Sequence, residues 1–531
     1  MTVHHIPFRK TGFFSELICD YLNEDSKLKE FYGNAPTIEG IGQQIQLKDG
    51  FSLDKRNTLV KVLNRQYDSV EVTDETKVNI NALANKDTFT ITTGHQLNIF
   101  TGPLYFLYKI VSTINLTKKL NEEFPKKYFV PIYWMATEDH DFEEINYFNF
   151  KGQKLSWNIE SKGAVGRLKT VDFQPMLELF SSLLGNSINE NYLKNLFEKS
   201  YVGHDTLTDA TRYLVNELFG KYGLVILDGD DKELKKEFTK VVSRELFEQT
   251  AEKCVNESSE ALKKIYHAQV NPRDINLFYL KDGLRERILY ENGVYIINNT
   301  SQTFTQTEIS EELNAFPEHF SPNVIMRPVY QEVILPNLVY IGGGGELAYW
   351  FQLKNYFQEL KVPLPILLLR NSALFMSSKQ MRKLNKLNIS INELFLKQGI
   401  LIDKKVKEIS EVDIDFTVQR NVLMGQFQGL KELAKRTDKS FMGAVLAQEQ
   451  KQLNGLNNLE KRLLKAQKRK LVDEVQRITK LQNELFPKQS LEERNRNFSE
   501  LFIELGNDLI PYIFEGLDPF KQEFTIIEYS L

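Results

Sequence analysis

The stretch from Thr88 to His140 limits the fold more than any other part of the chain. Thr88 to Thr93 reads TFTITT, a β-branched and aromatic run that predicts a strand. Gly94, His95 and Gln96 follow, with Gly102 and Pro103 a few residues on, and Pro103 suits the first turn of a helix. Apolar residues at 104, 107, 108, 111, 114 and 116 give Leu104 to Leu120 a helical period. A second strand, Tyr128 to Met135, ends at Ala136-Thr137-Glu138-Asp139-His140. Strand, loop, helix, strand is a βαβ unit, so the expected fold class is α/β, with a doubly wound parallel sheet.

The pattern recurs downstream. Thr206 to Tyr222 reads as a helix, Leu224 to Leu227 as a short buried strand, and Asp231 to Ile265 as one long amphipathic helix. Asn276 to Asn299 breaks into short strands with turns at Asp282-Gly283 and Asn292-Gly293, which predicts a β-meander. Leu338 to Ile341 is another strand, followed by Gly342 to Gly345, a helix from Glu346 to about Lys361, and a strand from Pro365 to Arg370. From about Asn421 to Leu485 there is no proline, and leucines recur at helical spacing with a shift of phase near Leu464. That predicts a coiled coil or long antiparallel helical arm with a stutter. Its basic run, Lys461 to Lys470, reads chiefly as a solvated helix face, with nucleic-acid contact as the alternative. Glu523 to Tyr529 reads as a short strand docking back onto the body. The expected organisation is a core over 1–375 with connecting insertions at about 151–325, an arm over 376–505 and a tail over 506–531.

Composition removes several classes. With 42% hydrophobic and 26% charged residues in 531, wholesale disorder is not expected. A net charge of -4 does not suggest a generally basic nucleic-acid-binding surface. Two distant cysteines, Cys19 and Cys254, support neither a disulfide scaffold nor a thiolate zinc site, and fit a reducing cytosol. No signal-like segment and no long apolar run is evident, so a cytoplasmic protein without membrane contact is expected.

In open α/β sheets ligands bind outside the carboxyl ends of the strands, and three segments fall at such ends. The first holds Gly94, His95 and Gln96, with Asn98 and Thr101 nearby. There a histidine at the head of a helix could meet an anion or move a proton. The second is Glu138-Asp139-His140-Asp141, preceded by Trp134 and followed by Glu143 and Glu144; its five acidic groups in seven positions repel unless an amine, an arginine or a divalent metal offsets them. No HExxH or second ligand cluster is present, so no metal is assigned. The third is Gly342-Gly343-Gly344-Gly345-Glu346, where a glycine run between strand and helix could form an anion nest. Arg327 and Gln331 precede it, Arg370 ends the next strand, and either arginine could grip a carboxylate or phosphate in bidentate fashion. Phe375-Met376-Ser377-Ser378-Lys379 faintly echoes the KMSKS loop of class I aminoacyl-tRNA synthetases.

Taken together, TTGHQLNIFTGPLYFLYKI (92–110), VPIYWMATEDHDFEEIN (130–146), the segment from Phe320 to Lys354 and the arm resemble the cysteine-adding enzymes of bacillithiol biosynthesis, the BshC family. The resemblance implies a Rossmann-like core related to class I aminoacyl-tRNA synthetases and a C-terminal coiled coil that supports a homodimer. It also implies a ligase that joins L-cysteine through its carboxyl group to the amine of glucosaminyl-malate. Forming an amide from a carboxylate requires activation, and in such a fold ATP is the expected agent. The nucleotide could instead regulate from another site, or the acyl donor could arrive preactivated. On this reading His95 and Gln96 contact phosphates or the acyl group, and Glu138, Asp139 and His140 bind the ammonium and assist its deprotonation. The Gly342–Gly345 backbone and Arg327 help to hold anionic groups, the malate among them. Competing readings are another nucleotide- or sugar-binding transferase of the same fold, a non-catalytic coiled-coil adaptor, and a tRNA-binding protein.

Overall fold

The computed structural model describes residues 1–530, which divide into two compact units. The first comprises Met1–Arg9, Phe13–Phe375 and the chain from Glu492 onward; the second comprises Lys10–Gly12 and Met376–Leu491. The arm therefore ends at Leu491 rather than 505. Residues 492–505 belong to the core, where Glu492, Glu493 and Asn497 are buried and bonded to it.

In the first unit, β1 (Thr2–Pro7) is followed by helices and then by β2 (Thr88–His95), α1 (Tyr105–Glu123) and β3 (Tyr128–Met135), the expected βαβ unit. A hairpin, β4 (Tyr147–Phe150) and β5 (Gln153–Ser156), precedes β6 (Val225–Asp228). The long helix expected over 231–265 is two, α2 (Lys232–Glu248) and α3 (Thr250–Lys263), because Gln249 takes a left-handed conformation with φ 52°. No glycine or proline announces that break. It is stabilised from within the core, where the buried Glu245 carboxylate accepts from Ala251 N at 2.9 Å and Asn276 N at 2.9 Å.

The expected meander is β7 (Leu277–Lys281), β8 (Leu284–Glu291), β9 (Val294–Ile297) and β10 (Thr303–Phe304), with β11 (Phe320–Pro322) on the far side of β7. Asn292 and Gly293 turn with φ 52° and 84°, the paired left-handed geometry that favours Asn-Gly between strands. After α4 (Arg327–Ile334) come β12 (Asn337–Gly342), α5 (Gly344–Trp350) and β13 (Ile366–Leu369). The helix expected from Glu346 thus begins within the glycine run, passes through a tighter turn at Phe351–Leu353 and resumes over Lys354–Glu359.

The central sheet has the order β13-β12-β2-β3-β6, all parallel. Strand order reverses between β2 and β12, so the loops leaving these neighbours diverge and open a crevice. Every residue of β2 is buried, as the cover of helices on both faces demands. Phe89, Ile91, Phe129 and Ile341 pack with Ile41 and Leu116 beneath it. Each such side chain contributes roughly 1.5–3 kcal/mol by leaving water. A separate sheet joins β1 to β15 (Glu523–Tyr529) and β14 (Ala373–Ser377), so the C-terminal strand docks as expected.

In the second unit α6 (Thr417–Ala434) and α7 (Lys439–Lys470) form an antiparallel hairpin around Phe427, Ala434 and Val445. Lys431 meets Glu449, and Arg420 meets Glu460, on opposite sides of its turn. α7 runs unbroken through the phase shift expected near Leu464; the helix ends at Leu471, after which α8 (Val472–Leu485) begins. Within the basic run Lys468 pairs with Asp403 and Lys470 with Glu411. Among the described residues no helix is long and apolar enough to cross a membrane.

One polar cluster crosses the core. Lys48 Nζ lies 2.8 Å from Glu332 Oε2, Asn337 Nδ2 donates to Glu332 Oε1 at 2.7 Å, and Thr92 Oγ1 donates to Asn337 Oδ1 at 2.8 Å. Burial pushes the Glu332 carboxyl up in spite of these partners. Lys48→Met should therefore cost about 3–5 kcal/mol in chemical denaturation of the core, and adding Glu332→Gln should restore most of it.

Candidate functional site

At the crevice lies a cleft of about 1090 Å³ whose lining joins the ends of β2, β3 and β12 to the meander. The three sequence segments converge there: His95, Glu138 and Gly343 all line it. So do Gly94, Gln96, Trp134, Asp139, His140, Arg327, Gly344, Gly345, Glu346 and Arg370. Asn98, Thr101, Gln331 and Gly342 do not.

Each of those four has a structural reason. After β2 the chain runs through Phe100, Thr101 and Gly102 with φ of 50°, 66° and 60°, and turns away from the cleft. Asn497 holds that loop by donating to Phe100 O and Gly102 O at 2.7 and 2.6 Å. Thr101 is buried in it, and Asn98 donates to Glu144 O at 3.1 Å. Gln331 is buried between Arg327 and Glu332. Gly342 ends β12 against Tyr340 and Leu347, which a Cβ would meet at 3.0 and 3.1 Å.

The inner end of the cleft gathers hydrogen-bond donors. His95 is the last residue of β2, not a loop residue at a helix head. Only 8% exposed, it packs against Tyr105 and Phe106, and its Nε2 has no partner. Burial, then Lys109 and Arg370, hold its pKa well below 6.5, so the ring is neutral at neutral pH. Arg327 lies within 6 Å of the rings of Trp134, Tyr340 and Trp350, donates to Gln331 Oε1 at 3.1 Å and keeps Nη2 unpartnered. Arg370 is not the free fork expected: Nη2 donates to Glu493 Oε1 at 2.8 Å and Nη1 to Asn371 O at 2.9 Å. Its Nε alone is unpartnered, beside Gly343.

Lys109 went unnoticed in the sequence, although a lysine within the apolar run FLYKIV is the signal that could have found it. From α1 its Nζ donates to Gly94 O at 2.7 Å and pairs with Glu346 Oε2 at 2.5 Å. Glu346 also accepts from Tyr340 OH at 2.9 Å and from Gly343 N at 2.7 Å. Burial would raise its carboxyl, but Lys109 and these donors outweigh it and hold the group low. None of the four glycines has positive φ, and the run opens α5 as an ordinary helix start with Gly343 at its N-cap.

The other wall is acidic and internally compensated. Glu138 pairs with the buried Lys235, which also donates to Phe320 O at 3.0 Å. Burial still pushes the Glu138 carboxyl up. Arg285, on β8, donates to His140 Nδ1 and lies 3.9 Å from Asp139 Oδ1. Gln96 is committed to the protein's own carboxylates rather than free for a substrate phosphate or acyl group: its Nε2 donates to Asp139 Oδ2 and Glu144 Oε2, each at 2.9 Å. Lys235 and Arg285 come from distant segments, which is why the sequence showed only the uncompensated acids. Asp139, His140 and Asp141 present ligand atoms within 4.8 Å of one another, a spacing a cation could bridge. The synthetase-like loop has a simpler role, since Ser377 caps the helix Ser378–Lys386 and none of its five residues lines the cleft.

The buried neutral histidine sets a pH dependence. Below 6.5 the unfolded chain protonates His95 while the folded chain does not, so stability rises with pH in that range and falls as pH drops. His95→Asn should flatten the loss of denaturation midpoint between about pH 7 and 5, by up to about 1.4 kcal/mol per pH unit.

Comparison with known proteins adds a separate line. A family model described as Bacillithiol biosynthesis BshC, N-terminal Rossmann-like domain, matches residues 1–371, and one described as the BshC C-terminal coiled-coil domain matches 373–529. Proteins named "Putative cysteine ligase BshC" are similar over their length. That of Christiangramia forsetii is 55% identical over 100% of both chains. That of Flavobacterium psychrophilum is 56% identical over 99% of each. That of Cytophaga hutchinsonii is 36% identical over 98% of this chain and 97% of its own. A solved Campylobacter jejuni chain described as a "putative arginyl t-RNA synthetase" covers 86% of this chain and 100% of its own at 12% identity, with a TM-score of 0.22, too low to carry an argument.

Proposed function

The chain belongs to the BshC family of bacillithiol biosynthesis, and from that premise we propose that it is a ligase joining the carboxyl group of L-cysteine to the amine of glucosaminyl-malate. The observation that carries the reading is the two-signed cleft. One end presents unpartnered donors from His95, Arg327 and Arg370, and the other presents Glu138, Asp139 and Asp141. An amide-forming site must hold an activated acyl group, which is anionic, beside an amine that arrives as an ammonium.

The carboxylate of cysteine is activated by ATP, forming an acyl-adenylate and releasing pyrophosphate. The donors at the inner end hold the anionic oxygens. His95, neutral and buried at the strand end, donates to the acyl or phosphate oxygen from Nε2. The acidic wall attracts the ammonium of the second substrate, and a carboxylate there takes its proton so that the lone pair can attack the acyl carbon. The C–N bond forms, the C–O bond to AMP breaks and AMP departs, the nitrogen gives up its second proton as the adduct collapses, and both protons pass from the acidic wall to solvent. Compensation by Lys235 and Arg285 keeps that wall from being so strongly negative that it holds the ammonium and never yields the free amine.

Purified protein given cysteine, glucosaminyl-malate and ATP, each omitted in turn, should form the amide by mass spectrometry only when all three are present, with release of AMP. Amide formed without ATP would overturn the activation step. His95→Ala should lower kcat/KM by about 100-fold, and undiminished ligation would reject its role. A strain lacking the gene should accumulate glucosaminyl-malate without the cysteinylated product. The arm supports a homodimer, since Val418, Val422, Leu433 and Leu459 are exposed on it. Sedimentation should then give about twice the 61.8 kDa chain mass.

A further inference from the structure

The meander side of the cleft carries two cations that the chemistry above leaves unused. Arg273, in the loop before β7, and Arg287, on β8, both line the cleft. Arg287 lies two residues from Arg285 on the same strand. The two therefore share one face, about 7 Å apart, with Phe278 paired to Arg287 across the ladder. Arg285 is committed to His140, Asp139 and the Ser321 hydroxyl, at 3.2 Å from the last. Arg287 has no such partner: among the described residues no carboxylate pairs with it, and its Nε is buried with nothing to donate to. Arg273 likewise has no ion pair among the described residues; partial loss of hydration, and then the charge of Arg287, lower its pKa. Glu286 also lines the cleft but accepts from Asn299 Nδ2 at 3.1 Å rather than pairing with either arginine, so the two guanidinium groups repel each other and a bound anion relieves that cost.

We infer that Arg273 and Arg287 form a carboxylate-binding subsite that recognises the dicarboxylate part of the acceptor substrate. This rests on the ligase reading and sharpens it. In glucosaminyl-malate the amine is on C2 of the sugar and the malate is on the adjacent C1. Amine and carboxylates are thus separated by a span comparable to the step from Arg285 to Arg287. An acceptor whose ammonium sits at the Asp139–Asp141 wall, beside Arg285, extends its carboxylates to the arginine pair. A guanidinium suits that task because it grips a carboxylate through two parallel N–H donors. The inner donors around His95 and Arg327 are then left for the acyl group and the nucleotide, so the malate is assigned to the meander and not to Arg327 and the glycine run. The inserted meander becomes the element that selects the acceptor.

Titration calorimetry on the full chain tests this with two acceptors, glucosaminyl-malate and methyl glucosaminide, which keeps the amine and lacks the carboxylates. The intact protein should prefer glucosaminyl-malate by about 10- to 100-fold, and Arg287→Gln and, separately, the loop variant Arg273→Gln should each bring that ratio toward one. The affinity for ATP should change by less than about twofold. Arg273 is exposed and its side chain makes no hydrogen bond or ion pair among the described residues, so its replacement leaves the fold intact even if that of Arg287 does not. A ratio near one in the intact protein, a preference unmoved in both variants, or weakened ATP binding with acceptor discrimination retained would overturn the subsite; the last would assign the pair to phosphate instead. Discrimination by the intact protein without any amide formed from the three substrates would sink the ligase reading and leave the subsite standing.

Discussion

A single buried ammonium ties the two sides of the crevice together. Lys109 reaches from α1 to the carbonyl of Gly94 at the end of β2 and to the carboxylate of Glu346 in the first turn of α5, which follows β12. These are the strands between which the sheet order reverses, so their loops would otherwise part freely. The ion pair fixes the width of the inner cleft. It also places a fixed positive charge beside His95, which helps to keep that imidazole neutral. The arrangement of Arg327, Tyr340 and Gly343 around Glu346 follows from the same anchor, since Tyr340 and Gly343 both donate to its carboxylate.

The architecture was legible where one periodicity ruled. β3 and β15 occupy the spans their apolar runs mark, and the meander turns at the two dipeptides that favour left-handed backbone. It was illegible where a distant side chain decided the local conformation. Gln249 breaks a continuous helical pattern because Glu245 and Asn276 supply the capping groups. The loop at Phe100–Gly102 is bent by Asn497, from the far end of the chain. Local sequence holds no trace of either.

The site divides along the same line. Position at strand ends brought His95, Glu138 and the glycine run together correctly, because topology alone puts them at one edge of the sheet. What each side chain is free to do depends on partners that pattern reading cannot see. Arg370 has given its fork to Glu493, Gln96 braces the acidic wall, and Glu138 is neutralised by Lys235. The charges that look most reactive in the sequence are the ones the fold has already balanced. Among the buried groups left without partners, His95 Nε2, Arg327 Nη2, Arg370 Nε and Arg287 Nε belong to residues that line the cleft.

The core is interrupted in sequence by the arm, and Arg370 and Glu493 stand on opposite sides of that interruption. During synthesis, a chain that has left the ribosome only as far as the helical hairpin carries a guanidinium at the tip of β13 with no anion to meet it. Burying that charge alone is unfavourable, so the sheet edge next to β12 stays hydrated until more than a hundred further residues have been translated. Assembly of the crevice is thereby timed to the arrival of the segment after the arm, and nascent chains halted within the arm would display an open, unfinished pocket.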